Sequence, residues 1–197
     1  CGQLSLVGYQ KFALVIETEY ESIASRIISL CKQLYSYQPE ILRFDRNQPR
    51  IMTVFQLNFE SGATTEKILT DLEMLKIQNG EPALVNSDML LPSSGLENKC
   101  CIGSALRGAF LGCGVLVNPY KQYQLEFLFF NELIADKMTE LLAFLGISCG
   151  WIPRGQREVI YVKEIDSIIT LMGLMGAHKM LLELENIRVL KEVRNNI

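Results

Sequence analysis

Tyr9-Gln10-Lys11-Phe12-Ala13-Leu14-Val15-Ile16 and Tyr120-Lys121-Gln122-Tyr123-Gln124-Leu125-Glu126-Phe127 fall on one another when the chain is slid against itself by 111 residues. The match runs on without a gap. Ile23, Ala24, Arg26, Ile27, Leu30 and Leu34 meet Ile134, Ala135, Lys137, Met138, Leu141 and Leu145, so both copies keep apolar positions three and four apart, the spacing of a helix. Ile68, Leu69, Thr70, Leu72 and Met74 align in turn with Ile168, Ile169, Thr170, Met172 and Leu174, after loops of different length. The sequence therefore encodes one supersecondary unit twice.

Within each copy the hydrophobic period switches back and forth. A turn (Val7-Gly8-Tyr9; Asn118-Pro119-Tyr120) leads into a strand, Phe12 to Thr18 or Tyr123 to Phe129. A helix follows, Ile23 to Tyr35 or Leu133 to Leu145, the second stopped by Gly146. A second hairpin comes next, with arms Ile41 to Phe44 and Ile51 to Phe59, or Cys149 to Ile152 and Val159 to Lys163. A shorter helix closes each copy. The expected organisation is a first repeat over 1–80, a linker over 81–99 marked by two prolines and a Ser-Ser-Gly run, a second repeat over 100–176, and a C-terminal helix within 177–197.

Gly103, Ser104, Ala105, Gly108, Ala109 and Gly112 crowd the segment ahead of the second copy. Glycine costs a helix about 1 kcal/mol relative to alanine. Ser104, Gly108 and Gly112 at four-residue spacing make sense if their stripe admits a second helix at close range, a helix expected ahead of Cys1.

The 197 residues carry 19 Lys and Arg against 22 Asp and Glu, a net charge of -3 that speaks against a polycationic nucleic-acid binder. No apolar run approaches the roughly 20 residues of a membrane span. Six cysteines at irregular positions, two of them adjacent (Cys100, Cys101), fit reduced thiols in a cytoplasm rather than a disulfide framework. A single histidine, His178, and no CxxC leave no material for structural zinc, and no catalytic triad assembles around it.

Leu106 to Gly114 spell LRGAFLGCG, which meets LAGLIDADG at its leucine, first glycine and last glycine. With the repeated helix, hairpin, helix, hairpin, helix order, the chain resembles the LAGLIDADG homing-endonuclease fold. The tail from Met175 to Ile197, and Ala105 to Leu111 after Cys100-Cys101, resemble the LAGLIDADG-like domain of bacterial WhiA proteins. The resemblance implies an α+β fold of two pseudo-symmetric αββαββα repeats forming a saddle, with the first motif helix truncated. It implies a regulator of sporulation or cell division, cytoplasmic and nucleoid-associated, whose DNA readout resides mainly in a helix-turn-helix domain beyond this chain. The packing residues of the two motifs are then Gly2, Leu106, Gly108, Gly112 and Gly114.

In active endonucleases of the family the eighth motif position is an acid that helps hold divalent ions. Here it is Cys113, and the matching residue of the first copy is Cys1. Thiols are poor ligands for Mg²⁺, so the resemblance implies a domain with no catalytic residues, metal or cofactor. Strand alternation predicts that Ala13, Val15 and Glu17 with Gln124, Glu126 and Leu128 line the face opposite the helices, two glutamates and no cation. Arg43, Arg46 and Arg50 in one hairpin and Arg154 and Arg157 in the other are candidate DNA contacts at matching places. The expected role is a regulatory scaffold that contacts protein partners or positions the DNA-binding domain. An auxiliary DNA-contacting module is the alternative, ahead of an active metal-dependent homing endonuclease.

Overall fold

The computed structural model describes residues 2–6, 12–47, 51–78, 81–84 and 99–195. It divides into two compact units, Cys1–Ser87 and Asp88–Ile197. The first carries strands β1 (Gly2–Leu6) and β2 (Phe12–Thr18), helix α1 (Glu21–Tyr35), strands β3 (Glu40–Arg46) and β4 (Met52–Phe59), helix α2 (Ala63–Asp71), and strands β5 (Leu75–Gln78) and β6 (Glu81–Leu84). The second carries α3 (Lys99–Cys113), β7 (Gly114–Leu116), β8 (Leu125–Phe129), α4 (Glu132–Phe144), β9 (Gly150–Arg154), β10 (Arg157–Val162), α5 (Ile165–Leu174) and α6 (His178–Asn195).

Each unit has one four-stranded antiparallel sheet, ordered β1-β2-β4-β3 and β7-β8-β10-β9. The duplication holds down to the register. Gly2 pairs with Ile16 as Gly114 pairs with Phe127, and Leu57 lies between Ile16 and Ile41 as Ile160 lies between Phe127 and Trp151. Beta-branched and aromatic residues suit such half-buried pleated strands. Their inward set (Phe12, Leu14, Phe55, Leu57 and Phe59; Leu125, Phe127, Phe129, Ile160 and Val162) joins the buried faces of the helices in one core per unit.

The helix ends follow local chemistry. The Asn131 carboxamide caps α4 by accepting from the Leu133 N–H at 2.8 Å. Gly146 then takes φ 73° and ends the helix as its sequence predicts. At α1 the same job falls to Ser36 at φ 51°, a conformation that costs a residue with a Cβ about 1 kcal/mol.

Two expectations are corrected. Glu81–Leu84 is a strand paired with Leu75–Gln78, inside the span read as linker. The linker reading missed it because four-residue arms, one holding Pro82, are too short to show a period. The closing helices also match three residues later than the sequence suggests: the Met74 N–H bonds Leu69 O as the Ala177 N–H bonds Met172 O, so Leu69 corresponds to Met172 and not to Ile169. A slip of three residues is nearly one helical turn and leaves the apolar face in place, which hides it from periodicity.

Candidate functional site

The motif helix α3 buries Leu106 fully in its core and brings Cys113 to its last position. The half-buried Cys113 thiol donates to Ala109 O at 3.2 Å. Burial pushes its pKa above the usual thiol value, against a smaller lowering by a hydrogen bond from the Leu128 backbone. It is therefore a neutral thiol at neutral pH, neither a hard oxygen ligand nor a ready thiolate. Among the described residues no group of three or more His, Cys, Asp or Glu could hold a metal ion. Cys1 lies outside the described residues, and Gly2 is described only as strand backbone.

The glycines of this segment sit in unlike surroundings. A Cβ at Gly103 would collide with the carbonyl of Leu174, so Gly103 is where α3 and α5 backbones approach. A Cβ at Gly108 or Gly112 would meet nothing within 4 Å among the described residues. Gly114, turning into β7, lies so close over Phe110 that no side chain fits. Arg107, at the second motif position, donates from Nε to Met175 O at 2.6 Å, a cation on the carbonyl end of α5. Gly176 beside it takes φ 73°, which gives the tail's Met-Gly-Ala a physical reason. His178 is exposed at the start of α6.

The outer face of each sheet, opposite the helices of the same unit, differs from its sequence reading in one respect. Cations do reach it, from the edge strands and from β10. In the first unit Arg46 of β3 lies 3.0 Å from Glu17, and Glu40 accepts from Asn58. In the second, Arg154 of β9 reaches past β10 to Glu126 with two contacts of 3.2 Å, and Gln124 donates to the same carboxylate at 2.6 Å. The two glutamates read as repelling phosphate are thus each held by one of the candidate DNA-contacting arginines. Strand alternation places Glu126 on the outer face, but nothing local in sequence shows that its partner sits two strands away and helps to bury it.

The other arginines divide. Arg43 pairs in register with Phe55 and stacks over its ring at 5.7 Å, on the helix-bearing side. Its register counterpart is Pro153, not Arg154, so Arg43 and Arg154 do not occupy matching positions. Arg157 lies on the outer face over Phe130 at 4.9 Å, with Lys163 over Tyr161 at 4.8 Å. Arg50 lies outside the described residues.

The comparisons with known proteins agree with this geometry. Residues 102–194 match the model of the WhiA LAGLIDADG-like domain, and residues 1–75 that of the WhiA N-terminal LAGLIDADG-like domain. The chain is 32% identical over 196 residues to the probable cell division protein WhiA of Alkaliphilus metalliredigens, and 33% identical over 196 residues to that of Clostridium acetobutylicum. It is covered fully in both matches and spans 61% of each relative's length. Among solved structures, full-length DUF199/WhiA from Thermatoga maritima superposes with a TM-score of 0.62 at 18% identity, covering 98% of this chain and 62% of that one. The homing endonuclease I-DmoI, in complex with DNA and Mn, superposes at 0.58 with 13% identity, covering 87% and 88%. Two successive family-model matches and the repeated four-stranded sheets lead to one conclusion: the chain belongs to the WhiA family and carries its LAGLIDADG-like domains.

Proposed function

We propose that this chain is the non-catalytic scaffold of a WhiA-type regulator of sporulation or cell division, and that it organises an adjacent DNA-binding domain without cutting DNA itself. The observation that carries this reading is Cys113. Phosphodiester cleavage needs a carboxylate there to hold a metal that activates water and stabilises the leaving oxygen. The position instead bears a half-buried neutral thiol spent on the Ala109 carbonyl. Titrating the protein with Mn²⁺ and following paramagnetic broadening tests it: the amides of Ala109 to Gly114 keep their intensities, whereas selective broadening at the end of α3 at micromolar Mn²⁺ overturns the reading.

A second reading, an auxiliary DNA contact, rests on Arg157 and Lys163, which stand over aromatic rings on the outer face of the second unit and form no ion pair among the described residues. Each phosphate contact contributes about one unit to the slope of log affinity against log salt. The scaffold reading expects Arg157→Ala, Lys163→Ala to leave the salt slope of the full-length protein on DNA unchanged. A fall of about two in that slope favours direct contact.

A further inference from the structure

Strand β3 lies at the edge of the first sheet, and among the described residues it pairs only with β4. All seven of its residues are exposed. The unpaired backbone N–H and C=O groups along such an edge are a template for another strand, which proteins ordinarily guard. The second repeat shows the guard. Its edge strand β9 carries Pro153 at the place of Arg43, and proline takes a donor off the edge. Strand β3 has neither proline nor glycine to break it, and Leu42 and Phe44 stand on its outer face at 43% and 37% exposure.

The charges of β3 decide what fits against it. Arg46 is tied to Glu17, and Glu40 accepts from Asn58. Arg43 and Asp45 share the helix-bearing side, two residues apart, and form no ion pair among the described residues: Arg43 lies over Phe55, and Asp45 accepts from the Thr53 hydroxyl at 2.9 Å. Charges of one sign would repel an incoming copy, whereas opposite signs at i and i+2 complement that copy in antiparallel pairing. A two-fold axis normal to the sheet keeps each face on its own side, so the axis passes beside one residue of β3 and the same residue of its copy. Centred on Arg43 or on Asp45, the pairing sets like charges against each other, and centred on Leu42 it sets Arg43 against Ile41. Centred on Phe44, it places Arg43 of each copy opposite Asp45 of the other and the two Phe44 rings side by side. We infer that β3 is the contact through which two copies of this chain associate, antiparallel and centred on Phe44, so that two four-stranded sheets become one continuous sheet. A pairing this short stays below the roughly 1,200 Å² of stable interfaces, so the dimer is weak and reversible. The inference goes beyond the scaffold reading and does not depend on it.

The test is sedimentation velocity of the intact protein from micromolar to submillimolar concentration, with Arg43→Asp, Asp45→Arg and an equimolar mixture of the two variants. Each variant alone brings like charges together at both contacts, whereas between the two variants every contact pairs opposite charges. The pairing is supported if wild-type protein dimerises reversibly, each variant weakens the dimer at least several-fold, and the mixture recovers it. A wild-type monomer throughout that range overturns it. So does a dimer indifferent to both variants, which puts the interface elsewhere, or a mixture that stays as weak as its components. Amide exchange of the wild-type protein gives a readout that needs no variant: protection within residues 42–46 rises with concentration, and exchange there that ignores concentration contradicts the pairing. None of these outcomes bears on the Mn²⁺ titration, so failure of the pairing and failure of the scaffold reading are told apart.

Discussion

Both terminal nitrogens of Arg154 sit 3.2 Å from the carboxylate of Glu126, whose side chain is only 7% exposed while that of Arg154 is 53% exposed. A buried carboxylate cannot release its cation without leaving an uncompensated charge, so Arg154 is committed to the fold. Arg154→Ala is expected to cost about 2–3 kcal/mol in urea unfolding, and Arg154→Leu, Glu126→Leu to recover most of it. Arg46→Ala, which removes a partner from the more exposed Glu17, costs under about 1 kcal/mol. Equal losses at the two sites would refute the distinction.

Gly103 and Gly108 lie on the same helix and are expected to respond to alanine with opposite signs. At Gly103 the new methyl meets the Leu174 carbonyl, backbone against backbone, and the helices must separate, costing about 1–3 kcal/mol. At Gly108 it enters open space among the described residues and gains helix propensity, stabilising this chain by up to about 1 kcal/mol. Thermal unfolding of the two variants decides it.

Ser36 and Gly146 close α1 and α4 with positive φ. Ser36→Gly relieves a strained cap and is expected to raise stability by about 0.5–1 kcal/mol, whereas Gly146→Ala introduces the same strain and lowers it by about 1 kcal/mol. Denaturant midpoints with unchanged slopes would show both effects.

Cys113 provides a pH dependence. Its folded pKa is raised, chiefly by burial, so the folded state favours the neutral thiol more than the unfolded chain does. The resulting stability is fully present below the ordinary thiol pKa of about 8.5 and is lost as pH rises through the higher folded value. Cys113→Ser is expected to flatten that alkaline decline. Alkylation of Cys113 by iodoacetamide follows the same sign, lagging behind exposed Cys100 near neutral pH and catching up only in stronger alkali.

The duplication, the inward strand residues and the Gly146 stop were legible in the sequence because each is a local pattern, a period of 2 or 3.6 or a residue with unusual φ. What sequence hid was relational. The Arg154–Glu126 pair spans β10, Gly103 rather than Gly108 meets α5 because that depends on where Leu174 lands, and Arg43 faces the helices because the hairpin register places it opposite Phe55. Five arginines near two hairpin tips looked equivalent by position, and the pairing register separates the four described ones, Arg43, Arg46, Arg154 and Arg157.

The proposed scaffold role leaves this domain without nuclease chemistry. Incubation of the purified full-length protein with supercoiled plasmid and Mg²⁺ or Mn²⁺ addresses it most directly. The account predicts nicking no faster than in protein-free controls; metal-dependent, chelator-sensitive nicking that co-elutes with the protein would contradict it.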